Sequence, residues 1–128
     1  MSQHVLDADV RQQDYQALRR RFSMVKVGDG FGYPSISDSD IRRELHHSKQ
    51  TFHTQDLDFY HPRYRHPTYC LVFYGVEDQD FASCVQRFLC HPQFNTRAKR
   101  MGKVVRVTLE QIEVGEFHRE NRGIVEWH

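Results

Sequence analysis

Apolar residues recur at helical spacing in three segments and at strand spacing in four. Val10, Tyr15, Leu18 and Phe22 lie close to the 3.6-residue period. They predict a helix over residues 9–22, with Asp9 as N-cap and Gln12 three residues on in capping-box position. Ser37 and Asp40 form a similar start, and Ile41, Leu45 and Phe52 then share one face, which predicts a second helix over 38–52. Asp78 opens a third, with Phe81, Val85, Phe88 and Leu89 on one side. His91-Pro92 ends it, because a proline disfavours the helical conformation in the residue before it.

Ser23 to Val27 reads as a short strand. Tyr69 to Tyr74 is an apolar run stopped by Gly75, the pattern of a strand covered on both faces. Val105, Val107 and Leu109 alternate with Arg106 and Thr108, so 103–109 reads as a half-buried strand. Ile112 and Val114 fall on the opposite parity, which predicts a bulge or bend near Glu110-Gln111, with Gly115 turning the chain. Gly123 to Trp127 is a last strand. Residues 53–68, with Pro62 and Pro67, read as a long connection carrying one helical turn near Asp56–Tyr60.

This order predicts an α+β fold: a two-layer sandwich with about three helices packed on one face of a mixed, curved sheet of about four strands. Tyr69 through the third helix to Val107 has the makings of a βαβ crossover. No repeat or linker-like stretch divides the chain, so residues 1–128 are expected to form a single globular domain, long enough to bury a core of its own.

Composition narrows the class. Hydrophobic residues make up 38% and aromatics 12%, which excludes a disordered chain. No apolar run approaches the roughly 20 residues of a membrane helix, and no secretory pattern opens the chain. The three cysteines lack CxxC spacing and read as free thiols in a reducing compartment. A cytoplasmic protein without a membrane partner is the expectation. The formal charge is only +1, so nothing global demands nucleic acid. Fourteen of the 18 basic residues are arginine, whose planar fork suits carboxylate and phosphate.

Charge is most lopsided in Arg97-Ala98-Lys99-Arg100-Met101-Gly102-Lys103. Arg106 brings the bases there to five, with no acid between Phe94 and Leu109. A basic turn feeding a strand can neutralise phosphate. A second stretch, Tyr60 to Tyr69, interleaves aromatics with Arg63 and Arg65, and stacking within a basic groove is how single strands are held. A proline-stiffened loop packing its tyrosines on the core would use the same residues.

Other motifs are weaker. Gly28-Asp29-Gly30-Phe31-Gly32 has neither phosphate-loop spacing and reads as a turn. His46, His53, Asp56, Asp58, His61 and His66 form none of the close ligand pairs of a zinc site, so no metal is expected. Cys70 and Cys84 fall within apolar elements. Cys90 sits at a helix C-terminus, whose negative dipole end disfavours a thiolate. His91, His118 and Glu110, with Arg119 and Arg122, would suit a ribonuclease-like hydrolysis, but no motif picks them out.

The leading expectation is a small protein that binds an anionic ligand, nucleic acid or a phosphate-bearing molecule, without a cofactor. Arg97, Lys99, Arg100 and Lys103 would neutralise phosphate; Arg63, Tyr64 and Arg65 would add stacking and a second cationic edge. The alternatives are a small-molecule pocket protein or hydrolase-like enzyme with a His/Tyr-lined cavity, and a homodimeric interaction module anchored by aromatics such as Trp127.

Overall fold

The computed structural model describes residues 2–61, 64, 66–116 and 123–127. Eight strands form one sheet: β1 (His4–Leu6), β2 (Met24–Val27), β3 (Gly30–Phe31), β4 (Thr51–Thr54), β5 (Cys70–Tyr74), β6 (Lys103–Val107), β7 (Ile112–Glu116) and β8 (Gly123–Val125). The helices are α1 (Gln12–Arg19), α2 (Asp38–Ser48), α3 (Asp78–Cys90) and the single turn α4 (Arg97–Arg100). Spatial order is β3-β2-β1-β4-β5-β6-β7-β8. Pairing is parallel from β3 to β6, and antiparallel for β6–β7 and β7–β8.

Helices packed with a mixed sheet are therefore present, but among the described residues eight strands and four helices replace the expected four and three. The helices also lie on both faces of the sheet. Successive strand residues point to opposite sides, and here each side has its own core. Leu6, Cys70, Val72, Tyr74 and Val105 pack with Tyr15 and Leu18 of α1 and Phe81, Val85 and Phe88 of α3. Val5, Leu71 and Val104 pack with Ile41 and Leu45 of α2, Phe52 and Phe59. A chain that passes from strand to helix to parallel strand covers both faces in this way.

The predicted elements shift for local reasons. Arg11, not Asp9, is the N-cap of α1, and the helix spans Gln12–Arg19 rather than 9–22. Ser37 does cap α2, accepting a hydrogen bond from the Asp40 amide at 3.2 Å. Lys49, with φ 56°, ends that helix, so Phe52 belongs to β4 instead of a continued helix. Asp56 accepts from the Asp58 amide at 2.9 Å and starts the 3-10 turn Leu57–Phe59, where one helical turn was expected. The α3 N-cap is Glu77, one residue before Asp78. The parity change after Leu109 is a hairpin and not a bulge: the Thr108 amide donates to Gln111 O at 3.0 Å, and Gly115 lies within β7. β5 is buried along its whole length and neighbours β6 in parallel through α3 and α4. The Gly28–Gly32 segment holds the β2–β3 turn at Gly28-Asp29 and β3 itself. Gly30, at φ +98°, leaves no room for a side chain, because an added Cβ would lie 2.7 Å from Val25.

Cys70 and Cys84 are buried and Cys90 is exposed, all three as free thiols. Burial pushes the Cys70 thiol up to about 12. A maleimide should label one thiol in the native protein and three after unfolding, as read by intact mass. Rapid native labelling of Cys70 would contradict the buried β5.

Candidate functional site

The structure separates the two basic segments. Arg97 and Lys99 are exposed on α4. The Lys99 ammonium donates to Pro92 O at 2.6 Å and Asn95 Oδ1 at 3.0 Å. The Lys103 ammonium donates to Lys99 O. Arg100 points inward and is 2% exposed. Its guanidinium donates to Thr51 Oγ1, Phe94 O and Gln3 Oε1. Tyr64 lies elsewhere, facing α2, while Arg63 and Arg65 fall outside the described residues.

Tyr64 takes part in a groove of about 450 Å³ between α2 and the β4–β5 connection. From α2 come Ser39, Arg42, Arg43 and His46, spaced so that they share one helix face. The connection supplies Tyr64, His66 and Tyr69. The rings form a stack: His46 and His66 are 4.1 Å apart at 16°, and His66 and Tyr69 are 5.7 Å apart at 8°. The Arg42 guanidinium sits 4.1 Å from the Tyr64 ring centroid and 5.7 Å from that of Phe59. Arg43 is mostly solvent-exposed and pairs with Asp40 at 3.0 Å. Tyr69 donates its hydroxyl to Tyr64 O, which ties the connection together. Burial pushes that phenol up to about 12, so it stays a donor. Burial, followed by His66 and His47, lowers the His46 pKa. Two guanidinium groups beside flat stacked rings can meet an anion and an aromatic surface in one ligand.

An acidic group lies at the carboxyl ends of the strands. The chain runs from β1 outward to β2 and later returns to β4 on the other side of β1, and open sheets commonly bind ligands at such a reversal. Asp7 follows β1; its carboxylate accepts from Thr54 Oγ1 at 2.6 Å and the Ala8 amide at 2.7 Å. Burial raises its pKa against those hydrogen bonds. The carboxylates of Asp38, Asp56 and Asp58 offer oxygens within 4.8 Å of one another. Burial also raises the Asp38 pKa, with Asp56 adding to it and Arg42 opposing. Oxygen ligands at this spacing suit a divalent cation, but exposed carboxylates gather without one.

The remaining candidates are placed apart. His91 accepts from the Gln93 amide on Nδ1, so its Nε2 donates to Glu126 O at 2.9 Å; both nitrogens are engaged structurally. His118, Arg119 and Arg122 lie outside the described residues. Glu110 is exposed in the β6–β7 turn. Trp127 packs on its own chain, its indole donating to Thr108 O at 3.0 Å, with Arg87 4.1 Å from the ring centroid.

The sequence singles out Tyr64 as a candidate, but not Arg42 or Arg43. The signal was the spacing of Ser39, Arg42, Arg43 and His46 along the side of the second helix opposite Ile41 and Leu45. No helix among the described residues is long and apolar enough to cross a membrane. Fold and groove together define a class: an open, mainly parallel sheet between helices, with a basic, ring-lined groove on its α2 face. Comparison with protein-family models, curated proteins and solved structures finds no match.

Proposed function

We propose that this protein binds a phosphate-bearing ligand with an aromatic ring, a nucleotide unit free or within a single strand, in the groove between α2 and the β4–β5 connection. The observation that carries the reading is Arg42 against Tyr64 beside the stacked His46, His66 and Tyr69. Arg42 and Arg43 would meet phosphate, and the rings would accept a base by stacking. Arg97 and Lys99 line no part of this groove, and the Arg100 side chain is buried away from it.

A second reading rests on the same lining. Two histidines and two tyrosines in a groove of about 450 Å³ also describe a small-molecule pocket, whose usual range is roughly 300–1,000 Å³. Fluorescence anisotropy with short single-stranded RNA and DNA at several salt concentrations, beside a mononucleotide competitor, separates the two. For a strand, affinity falls with salt at a log–log slope of about −0.7 per phosphate contact. Arg42→Ala with Arg43→Ala should flatten the slope by about 1.4. Tyr64→Ala should weaken binding by roughly 1–3 kcal/mol with the slope unchanged. Affinity should rise as pH falls below the ordinary histidine value of 6.5, because His46, neutral at pH 7, then adds a cation. Mononucleotide binding without strand binding favours the pocket reading, and no binding of either at low salt rejects both.

A further inference from the structure

Arg100 is a buried charge with no counter-charge among the described residues. The ion pairs among the described residues are Arg11–Asp14 and Arg43–Asp40, and Arg100 is in neither. Three of its five N–H donors go to neutral acceptors: Nε to Thr51 Oγ1 at 3.1 Å, one terminal nitrogen to Phe94 O at 2.8 Å, the other to Gln3 Oε1 at 3.2 Å. A guanidinium taken out of water calls for an anion or for full hydrogen bonding. Arg100 also lines a pocket of about 220 Å³, with Gln3, His4, Arg21, Ser23 and Asn95 around it. No acid is among the lining residues, and the second charge there is again a guanidinium.

The pocket opens at the amino ends of the strands. Gln3 precedes β1, Ser23 precedes β2, and Asn95 and Arg100 precede β6. It is therefore at the opposite end of the sheet from Asp7 and Asp56. The Asn95 carbonyl oxygen is taken by Lys99, which leaves its amide N–H groups as donors. The Ser23 hydroxyl supplies another. His4 is engaged by His53 at 3.1 Å and carries no charge at pH 7. The lining thus offers two cations and neutral donors.

We infer that this pocket binds a small free oxyanion of the phosphate or sulfate class, with Arg100 at its floor, Arg21 at its rim, and Ser23 and Asn95 donating. Its volume is below the roughly 300 Å³ at which ligand pockets begin, which favours an ion over a nucleotide. The site is separate from the α2 groove and stands without it.

Isothermal titration of the full chain with inorganic phosphate, against sodium chloride at matched ionic strength, tests this. Phosphate should bind saturably at one site and raise Tm with concentration. Arg21→Gln and Ser23→Ala, both at exposed positions, should each weaken phosphate by roughly tenfold. Arg21→Gln should keep wild-type affinity for an oligonucleotide. Phosphate acting no differently from chloride, or binding both rim variants with wild-type affinity, would overturn the inference. So would an Arg21→Gln variant that loses phosphate and oligonucleotide together, since one shared site would then explain both.

Discussion

Phe88→Ala should destabilise the protein by about 3–5 kcal/mol, the usual range for deleting a buried aromatic ring. Phe88 is fully buried on α3. Its ring stacks on Phe94 at 4.7 Å and meets Tyr74 edge-on at 6.5 Å, so it joins the helix, the α3–α4 connection and the central β5. Removing it leaves a cavity that rigid strand residues on one side cannot collapse to fill. Urea denaturation reads the change directly. A midpoint within error of wild type would mean that α3 does not pack on β5 as described. Phe73, on the opposite face of β5, is slightly exposed and stacks on Tyr60 at 5.7 Å, so its truncation should cost less.

Acid should weaken the fold well before the carboxylates titrate. His4, His53 and Tyr74 form a buried chain: His4 Nδ1 meets His53 Nε2 at 3.1 Å, and His53 Nδ1 meets the Tyr74 hydroxyl at 2.8 Å. Burial, with Arg100 adding to it, lowers the His4 pKa from 6.5 to about 3. Burial, followed by His4 and Arg100, lowers the His53 pKa well below 6.5. Between the two values the unfolded chain binds protons that the folded chain refuses, so stability is intact above pH 6.5 and falls as pH drops. At pH 5, His4 alone accounts for about 2 kcal/mol at ~1.4 kcal/mol per pH unit, and His53 adds to it. Asp7 works the other way, because its raised pKa lets the folded state take up a proton more readily. Comparing urea midpoints at pH 7.5 and 5 shows the net effect. Equal midpoints in an Asp7→Asn variant, which removes that offset, would mean that the two rings are not buried as a neutral pair.

That chain also explains what the sequence conceals. β1 reads His-Val-Leu and β4 reads Thr-Phe-His-Thr, too short and too polar to register as interior strands. Both are buried with their polar groups satisfied: His4 pairs with His53, Thr51 accepts from Arg100, and Thr54 donates to Asp7. Hydrophobic periodicity cannot report a polar interior, so β1 has no counterpart among the predicted elements and β4 falls at the tail of the predicted second helix. β5 and α3, whose apolar residues carry the whole signal, were legible at nearly their true limits. In the candidate site, Tyr64 was legible from composition. Arg42 and Arg43 were not, because their meaning depends on a connection folding back over α2. In sequence Arg100 is one more cation of a basic run, but one turn of helix carries it inward while Arg97 and Lys99 stay out.

The central claim is the location of the ligand, and backbone amide shifts in a ¹⁵N-labelled sample titrated with a short single-stranded oligonucleotide test it most directly. The account predicts saturable shifts at Ser39, Arg42, Arg43, His46, Tyr64 and Tyr69, with residues 97–103 moving little. Shifts concentrated on Arg97, Lys99 and Lys103 with α2 silent, or no shifts anywhere at low salt, would contradict it.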